Sequence, residues 1–343
     1  MRIPGRALTA AATVAIAAVA ALTAMTAGGQ TAAGDEFDVI RQVPVGKNPG
    51  PVTYGYGAGW VINQGDPSVT RIDAVTGATV TTAVAAGPIS ITAGFNSIWV
   101  LTGEGKSTAT IYRLNGTTGK VQKTLRASLP INYAADIATA SGYVWASSDG
   151  QAKLVRIDPS NNAATIKKVP THAGFTTGNS KLWTTVLQGS SAKLQSWNPK
   201  TLAVERSIGI GKVYDGSGAV WLSYGSSHVY VSETEPNDQG VTGAVSLSQG
   251  ALTATYFSNI ALRCTETGNN ALWLGIDYDN LGGTPAQIVA LNEDNLAVLK
   301  SQQPFPSGSA NGSVSCVGTG GGYIWVPDGQ TQGSVYQLVS STS

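Results

Sequence analysis

The chain has 343 residues, of which only 12% are charged, while glycine alone contributes 42. This balance favours short strands joined by tight turns over long salt-bridged helices, so we expect an all-β fold. Lysine and arginine together number 21, against 20 aspartates and glutamates, and this near-neutral balance does not support binding to nucleic acid or to an anionic membrane surface.

The first 33 residues have the features of a Sec-type signal peptide. Arg2 and Arg6 precede an apolar stretch from Ala7 to about Ala24, and small residues continue to Ala33. The stretch is rich in alanine and threonine rather than leucine, which favours a cleaved signal over a membrane anchor. We therefore expect residues 1–33 to be removed, the mature protein to be secreted without stable membrane insertion, and residues 37–341 to form the folded domain.

A strand is predicted at residues 39–46, and after it one pattern recurs to the end of the chain. An aromatic inside a β-branched run is followed by a polar loop, a further strand, and a turn that contains Asp or Asn. The aromatics are about 40 to 50 residues apart, which is the length of a four-stranded propeller blade. They are Trp60, Trp99, Trp145, Trp183, Tyr230, Trp273 and Trp325. Seven such units predict a seven-bladed β-propeller.

The turns and the chain ends agree with this register. Asp73, Asn115, Asp158 and Asn198 follow the predicted third strands of the first four units, where their side chains can satisfy turn backbone groups. The last unit has only three strands before the chain becomes polar. The strand at residues 39–46 is therefore expected to complete the seventh blade and close the ring, which removes an exposed sheet edge.

The two cysteines occupy equivalent positions in neighbouring units. Cys264 lies nine residues before Trp273, and Cys316 lies nine before Trp325. Because an exported chain meets oxidising conditions, a disulfide between them is expected. The alternative is a pair of buried free thiols on strands that are too far apart to bridge.

Several segments resemble a known family. GWVIN (59–63) with VTRID (69–73), and SIWV (97–100) with IYRLN (111–115), resemble the YVTN-type repeats of exported propellers similar to YncE. The resemblance runs from about residue 39 to 339, and it also points toward the virginiamycin B lyase-like and lactonase-like propellers, which are enzymes. It implies a fold and leaves the function open, because one fold hosts many chemistries.

Candidate ligands lie in the loops that follow the aromatics, since such loops commonly carry function. Asn63, Asp66, Glu104, Asp149 and Asp328 are single candidates. Blades five and six hold a denser set, namely Glu233, Glu235, Asp238, Asp277 and Asp279. These five could form an oxygen-rich site for Ca²⁺ or Mg²⁺, the alternative being separate solvated carboxylates.

Histidines offer little for catalysis. His172 and His228 fall in different units, so a paired-histidine site is not expected. The Glu-x-His arrangement that the resemblance associates with the lyases is absent.

The sequence therefore predicts a monomeric, non-catalytic binding propeller outside the cell, with a protein, polymer or small molecule as partner and no nucleic acid. The alternative is a metal-dependent hydrolase or lyase with its site at the channel mouth. No other cofactor is predicted, and no residue pattern identifies the ligand.

Overall fold

Each predicted repeat folds as a four-stranded antiparallel sheet. The computed structural model describes residues 37–132, 134–188, 191–211, 213, 219–234, 239–258, 261–276, 286–302, 314, 316–329 and 333–340. These residues belong to one compact unit, Asp35–Ser343. They form seven such sheets and no helix, which confirms the seven-bladed β-propeller. No helix of the described ranges is therefore long and apolar enough to cross a membrane.

The strands are numbered along the chain, beginning with β1 (Phe37–Pro44). The inner strands of the seven blades are β2 (Pro49–Gly55), β6 (Pro88–Gly94), β10 (Asp136–Ala140), β14 (Ala173–Gly178), β18 (Ala219–Tyr224), β22 (Leu262–Gly268) and β26 (Gly318–Gly320). The second strands are β3 (Ala58–Asn63), β7 (Ser97–Thr102), β11 (Tyr143–Ser147), β15 (Lys181–Gln188), β19 (His228–Thr234), β23 (Ala271–Ile276) and β27 (Tyr323–Asp328).

The remaining strands lie toward the outside of each blade. The third strands are β4 (Ser68–Asp73), β8 (Ala109–Asn115), β12 (Lys153–Asp158), β16 (Ser191–Trp197), β20 (Gly240–Ser246), β24 (Gln287–Leu291) and β28 (Ser334–Ser340). The outer strands of blades one to six are β5 (Thr79–Ala83), β9 (Val121–Ala127), β13 (Ala163–Lys168), β17 (Val204–Gly211), β21 (Ala251–Ser258) and β25 (Val298–Gln302).

The seventh blade is closed by the first strand, as the sequence predicts. Its strand order is β1-β28-β27-β26, and β1 pairs antiparallel with β28 from Phe37↔Ser340 to Pro44↔Ser334. Phe37 also packs against Trp273 of blade six, with ring centroids 5.2 Å apart, and its N–H donates to Gln302 Oε1 at 2.6 Å. The first strand therefore completes one blade and contacts the blade before it.

The core lies between the blades, on their second strands. All seven predicted aromatics are on these strands, and each is at most 3% exposed. The second strands of blades one and two are buried along their whole length, whereas β5 is largely exposed. This difference in burial explains why the second strands are apolar and the outer strands contain more polar residues, since each second strand is covered by sheets on both sides.

The Asp and Asn residues of the hairpins are turn formers. Asp73 accepts hydrogen bonds from the Thr76 N–H at 2.9 Å and from the Thr76 hydroxyl at 2.9 Å. The bond from the Thr76 N–H is the main reason that the pKa of Asp73 falls to about 2. Asn115 repeats the same bonds one blade later, with Thr118. These residues therefore shape the turns, as predicted, and are not candidates for catalysis.

The expected disulfide is present. Cys264 and Cys316 are joined, with their Cα atoms 5.3 Å apart. The bond links blade six to blade seven. Since the chain contains two cysteines, neither is left as a free thiol.

Candidate functional site

The register of the inner strands is marked by an indole hydrogen bond that repeats in six blades. In each of them, the Nε1–H of the tryptophan on the second strand donates to the carbonyl five residues earlier, at 2.8 to 3.3 Å. Trp60, for example, donates to Gly55. Blade five has Tyr230 instead, and its hydroxyl donates to the Glu293 carbonyl at 2.7 Å. Residues that precede the aromatic by the same number of sequence positions therefore occupy equivalent levels around the central channel of the propeller.

Two of these levels contain the acidic side chains of the inner strands and the two cysteines. We call the residues nine positions before the aromatics the upper ring. They are Pro51, Ser90, Asp136, Gly174, Trp221, Cys264 and Cys316. We call the residues seven positions before the aromatics the lower ring. They are Thr53, Thr92, Ala138, Thr176, Ser223, Glu266 and Gly318. Each ring thus contains one carboxyl group, and the lower ring is otherwise a belt of small and hydroxyl-bearing residues.

At two blade boundaries, neighbouring residues of the upper ring bond to each other. Cys264 and Cys316 do so through their disulfide. At the equivalent positions of blades two and three, the Ser90 hydroxyl donates to the Asp136 carboxylate at 2.5 Å. In both pairs the first residue also accepts the backbone N–H that follows the second, at 3.1 Å for Cys264 and 3.2 Å for Ser90. A disulfide in one case and a hydrogen bond in the other therefore join the same two positions of neighbouring blades.

The two ring carboxyls, Asp136 and Glu266, are electrostatically coupled. Burial and, as a smaller cause, the charge of Asp136 raise the pKa of Glu266 to about 8. Burial also raises the pKa of Asp136 to about 6, against the lowering effect of the hydrogen bonds from Ser90 and the Ile137 N–H. Both residues are partly exposed, and no described cationic side chain lowers the pKa of either. No described residue hydrogen-bonds to the Glu266 carboxyl.

Asp149, one of the predicted loop candidates, adds a third carboxyl near Asp136. It follows β11, and its carboxylate accepts the Gly174 N–H at 2.7 Å. Burial raises the pKa of Asp149 to about 7, and the charge of Asp136 contributes in the same direction. Three carboxyls that favour their protonated forms are therefore linked through Asp136.

Trp221, on β18 in the upper ring, differs from the other tryptophans. Of the eight in the chain, six donate to the carbonyl five residues earlier, and Trp197 donates to Gln195 Oε1 at 3.3 Å. Trp221 is partly exposed, and its Nε1–H has no partner among the described residues. An indole N–H usually finds a hydrogen-bond partner when it is buried, so this ring is placed differently from the packing tryptophans.

Two buried hydroxyls nearby also lack partners within the described ranges. Ser223 follows Trp221 by two positions and is 4% exposed, while Thr265 precedes Glu266 and is 7% exposed. Neither hydroxyl oxygen has a hydrogen-bond partner there. Because a buried hydroxyl without a partner costs free energy, each such group calls for a ligand or a water molecule.

Both histidines are buried, and they lie in different blades as predicted. His172 is 2% exposed. Its Nδ1–H donates to the Pro170 carbonyl at 3.0 Å, so Nε2 accepts the Ser147 hydroxyl at 2.7 Å. Burial lowers the pKa of His172. Since Ser147 is buried as well, this pair fastens a loop rather than presenting a nucleophile.

The predicted metal ligands are distributed as follows. Glu233 lies on β19 and is 1% exposed. Glu235, Asp238, Asp277 and Asp279 lie outside the described residues. Across the part of the chain that the structure describes, no three His, Cys, Asp or Glu side chains are arranged to hold a metal ion.

Two other loop candidates have structural partners. Asn63 is buried, and its carboxamide donates to Ser68 and Thr70 at 2.9 Å. Asp66 accepts the Lys47 N–H at 2.7 Å. These contacts hold the loops of blade one in place.

A shallow depression of about 700 Å³ lies between blades four and five. Its polar lining is neutral apart from one guanidinium, and it includes Asn179, Arg206, Tyr224, Ser226, Ser227 and Ser248. Arg206 donates to the Leu247 carbonyl at 2.5 Å, so part of its hydrogen-bonding capacity stabilises the turn after β20.

Comparison with known proteins supports the fold. Residues 60–174 match a family described as a repeat of unknown function (DUF6923). No curated protein matches the chain.

Solved propellers of very different sequence are similar in structure. The β-propeller domain of Cps50 (Swd1) from Myceliophteria thermophila has 12% identity and a TM-score of 0.65, with 90% of this chain and 100% of that chain covered. Dihydro-heme d1 dehydrogenase NirN, in complex with DHE, has 13% identity and a TM-score of 0.52, with 85% of this chain and 67% of that chain covered. At these identities the likeness concerns the fold alone.

Proposed function

We propose that the mature chain is an extracellular binding module that takes its ligand into the central channel. The observation that carries this proposal is the coupled pair Asp136 and Glu266, two acidic residues that are partly exposed and whose carboxyls no described cation neutralises. A carboxyl pair with raised pKa values and no counter-ion is costly to the fold, and such groups concentrate at functional sites. The pair favours a positively charged ligand.

Export is supported by three features. The first 33 residues have the composition of a cleaved signal, the chain resembles exported YVTN-repeat propellers, and its two cysteines are joined. Disulfides of this kind persist in oxidising compartments. Detection of a mature protein that begins after about residue 33 in the culture medium would test this part of the proposal.

One observation favours a second function, an acid-assisted hydrolase or lyase. The pKa of about 8 keeps a proton on Glu266 at neutral pH, as a general acid requires. A metal-dependent version would need ligands beyond the described residues. We rank binding first because no nucleophile lies beside Glu266 among the described contacts.

The test is a thermal-shift screen of the purified mature protein against a small-molecule library balanced between cations, anions and neutral polyols. We expect the stabilising compounds to be cations, and the variants Glu266→Gln and Asp136→Asn to lose the stabilisation. Glu104→Gln, at a loop candidate that the structure leaves exposed and outside both rings, is the matched control and should respond like the wild type. Stabilisation by anions alone, or stabilisation that both channel variants retain, would refute channel binding.

A further inference from the structure

The total charge of the chain is near neutral, but charges of opposite sign lie in different blades. Residues 88–168, which form blades two and three, include nine lysines and arginines against four acidic residues. Residues 219–302, which form blades five and six, include two against eight. Blades two and three are therefore the part of the ring that attracts an anionic partner.

Two pairs of cationic residues lie opposite each other in the sheets of these two blades. Lys153 of β12 is the register partner of Lys168 of β13, and Arg113 of β8 is the register partner of Lys123 of β9. Like charges in such positions destabilise a sheet. None of the four has an ion-pair partner among the residues that the structure describes. The fold therefore keeps both pairs without an offsetting salt bridge.

Both pairs belong to one boundary, the one between blades two and three. The Lys153 ammonium donates to the carbonyl of Ser128, the residue after β9, at 3.2 Å. In the other direction, the Arg113 guanidinium donates to the carbonyl of Pro159, the residue after β12, at 2.6 Å. Because register partners lie on the same face of a sheet, the second member of each pair faces this boundary as well.

The core beneath the boundary agrees with this orientation. Val155, two positions after Lys153, and Leu125, two positions after Lys123, belong to one buried cluster. Since side chains alternate along a strand, Lys153 and Lys123 point to the same side as these core residues. Lys123 lies five residues before Ser128, so at about 3.3 Å per residue the two pairs are roughly 15 Å apart along the strands.

This arrangement suits a linear anionic chain, with one group of cations at each end of a shared boundary. Lys123 and Lys168 are the exposed members of the two pairs. Between them lies Ile166, which is 41% exposed. Proteins that bind single-stranded nucleic acid stack the bases on aromatic rings, and β9 and β13 contain no aromatic residue. An acidic polysaccharide needs no such rings to bind through its charges.

We propose that the boundary between blades two and three binds a linear acidic polysaccharide, whose carboxylate or sulfate groups contact Lys123 at one end and Lys168 at the other. Arg113 and Lys153, which are bonded to carbonyls of the neighbouring blade, add their charges beside these two lysines. The surface lies on outer strands of the propeller, so it is separate from the proposed channel site.

Isothermal titration of the mature protein tests the proposal. The probes are hexagalacturonate, a heparin hexasaccharide, neutral maltohexaose and an oligothymidylate of similar length. We expect at least one acidic hexasaccharide to bind, maltohexaose not to bind, and the affinity to fall by roughly tenfold or more between about 50 and 200 mM salt. The tighter of the two acidic probes identifies the preferred acidic group.

The double variant Lys123→Gln with Lys168→Gln should weaken this binding by about tenfold or more. Each substitution removes a like-charge pair, so the melting temperature should not fall and a loss of affinity is not a loss of fold. The matched control, Lys47→Gln with Lys200→Gln, removes the same charge at two exposed lysines outside blades two and three. It should bind within about twofold of the wild type, since charges beyond about 10 Å are screened.

Three results would overturn the proposal: no binding of either acidic hexasaccharide, tighter binding of the oligothymidylate than of both, or equal losses in the two double variants. Glu266→Gln, which tests the channel site, should leave polysaccharide binding unchanged. The two proposals can therefore fail separately.

Discussion

Ser90 donates its hydroxyl to the Asp136 carboxylate at 2.5 Å, across the boundary between blades two and three. The contact stands where blades six and seven have the bond between Cys264 and Cys316. At these two blade boundaries, the position nine residues before the core aromatic is therefore the point at which neighbouring blades are joined.

Replacing Ser90 with alanine should destabilise the protein by about 1–3 kcal/mol, because the Asp136 carboxyl and the Ile137 N–H both lose a partner. Urea unfolding measures the change. Ser107→Ala, at an exposed serine, should change the free energy of unfolding by less than about 0.5 kcal/mol. Equal effects of the two substitutions would contradict a fastening role for Ser90.

The double variant Ser90→Cys with Asp136→Cys should form a second disulfide, since the two residues occupy the ring positions that Cys264 and Cys316 occupy elsewhere. Thiol titration of the unfolded protein should detect no free thiol. Ser90→Cys alone, as the control, should give one thiol per chain. Two reactive thiols in the double variant would show that the upper-ring positions are not equivalent.

Reduction of the native disulfide should lower the free energy of unfolding by about 2–4 kcal/mol, because the bond closes a long loop, with its cysteines 52 residues apart. Denaturant unfolding with and without dithiothreitol measures this. A variant with both cysteines changed to serine should unfold like the reduced wild type and should not respond to the reductant. A wild type that is insensitive to reduction would argue against a stabilising role.

Rising pH should destabilise the fold through Glu266. Its pKa is about 8 in the folded chain and 4.5 ordinarily, so the unfolded chain loses this proton first. The stability contributed by the protonated group is full below pH 4.5 and is lost progressively up to about pH 8. The pKa of His172 is lowered, so this residue destabilises the fold as pH falls through 6.5. Comparing Glu266→Gln with the wild type at each pH therefore isolates the contribution of Glu266.

Melting temperatures of wild type and Glu266→Gln between pH 5 and 9 give this comparison. The advantage of the variant over the wild type should grow up to about pH 8 and then level off. The control Glu104→Gln should run parallel to the wild type. A constant difference between Glu266→Gln and wild type would mean that the Glu266 carboxyl is already ionised at pH 5.

Phe37→Ala should cost about 3–5 kcal/mol, as expected for removal of a buried aromatic ring. The residue is 3% exposed and packs on Trp273. Val39, on the same strand, is 49% exposed, and Val39→Ala should have a small effect in the same unfolding assay. Comparable losses in both variants would show that strand pairing, rather than the Phe37 contact with blade six, fastens β1.

The architecture could be predicted from the sequence because its determinants are local and repeated. Each core aromatic sits in a short apolar run, each turn carries its own Asp or Asn, and the spare strand at residues 39–46 matched the missing strand at the other end. In the structure this strand spans Phe37–Pro44, so it begins and ends slightly earlier than predicted.

The candidate site could not be predicted in the same way. Asp136 and Glu266 are ordinary strand residues in the sequence, separated by more than a hundred positions, and only closure of the ring brings them to one channel. The spacing that paired the cysteines, applied to the other units, would have singled out Asp136 and Trp221. No pattern in the sequence marks Glu266 as a site residue, because the other units have small or hydroxyl-bearing residues at this position and no second acidic residue to pair with it.

The pairing of β1 with β28 has a consequence for how the chain acquires its structure. These are the first and last described strands, and their contacts have the largest sequence separation in the fold, a kind of contact that slows folding. A polypeptide still emerging from the ribosome lacks the partner for β1 until its final strand has been made. The ring therefore closes only after β28 has been made, whatever the order in which the other six sheets form.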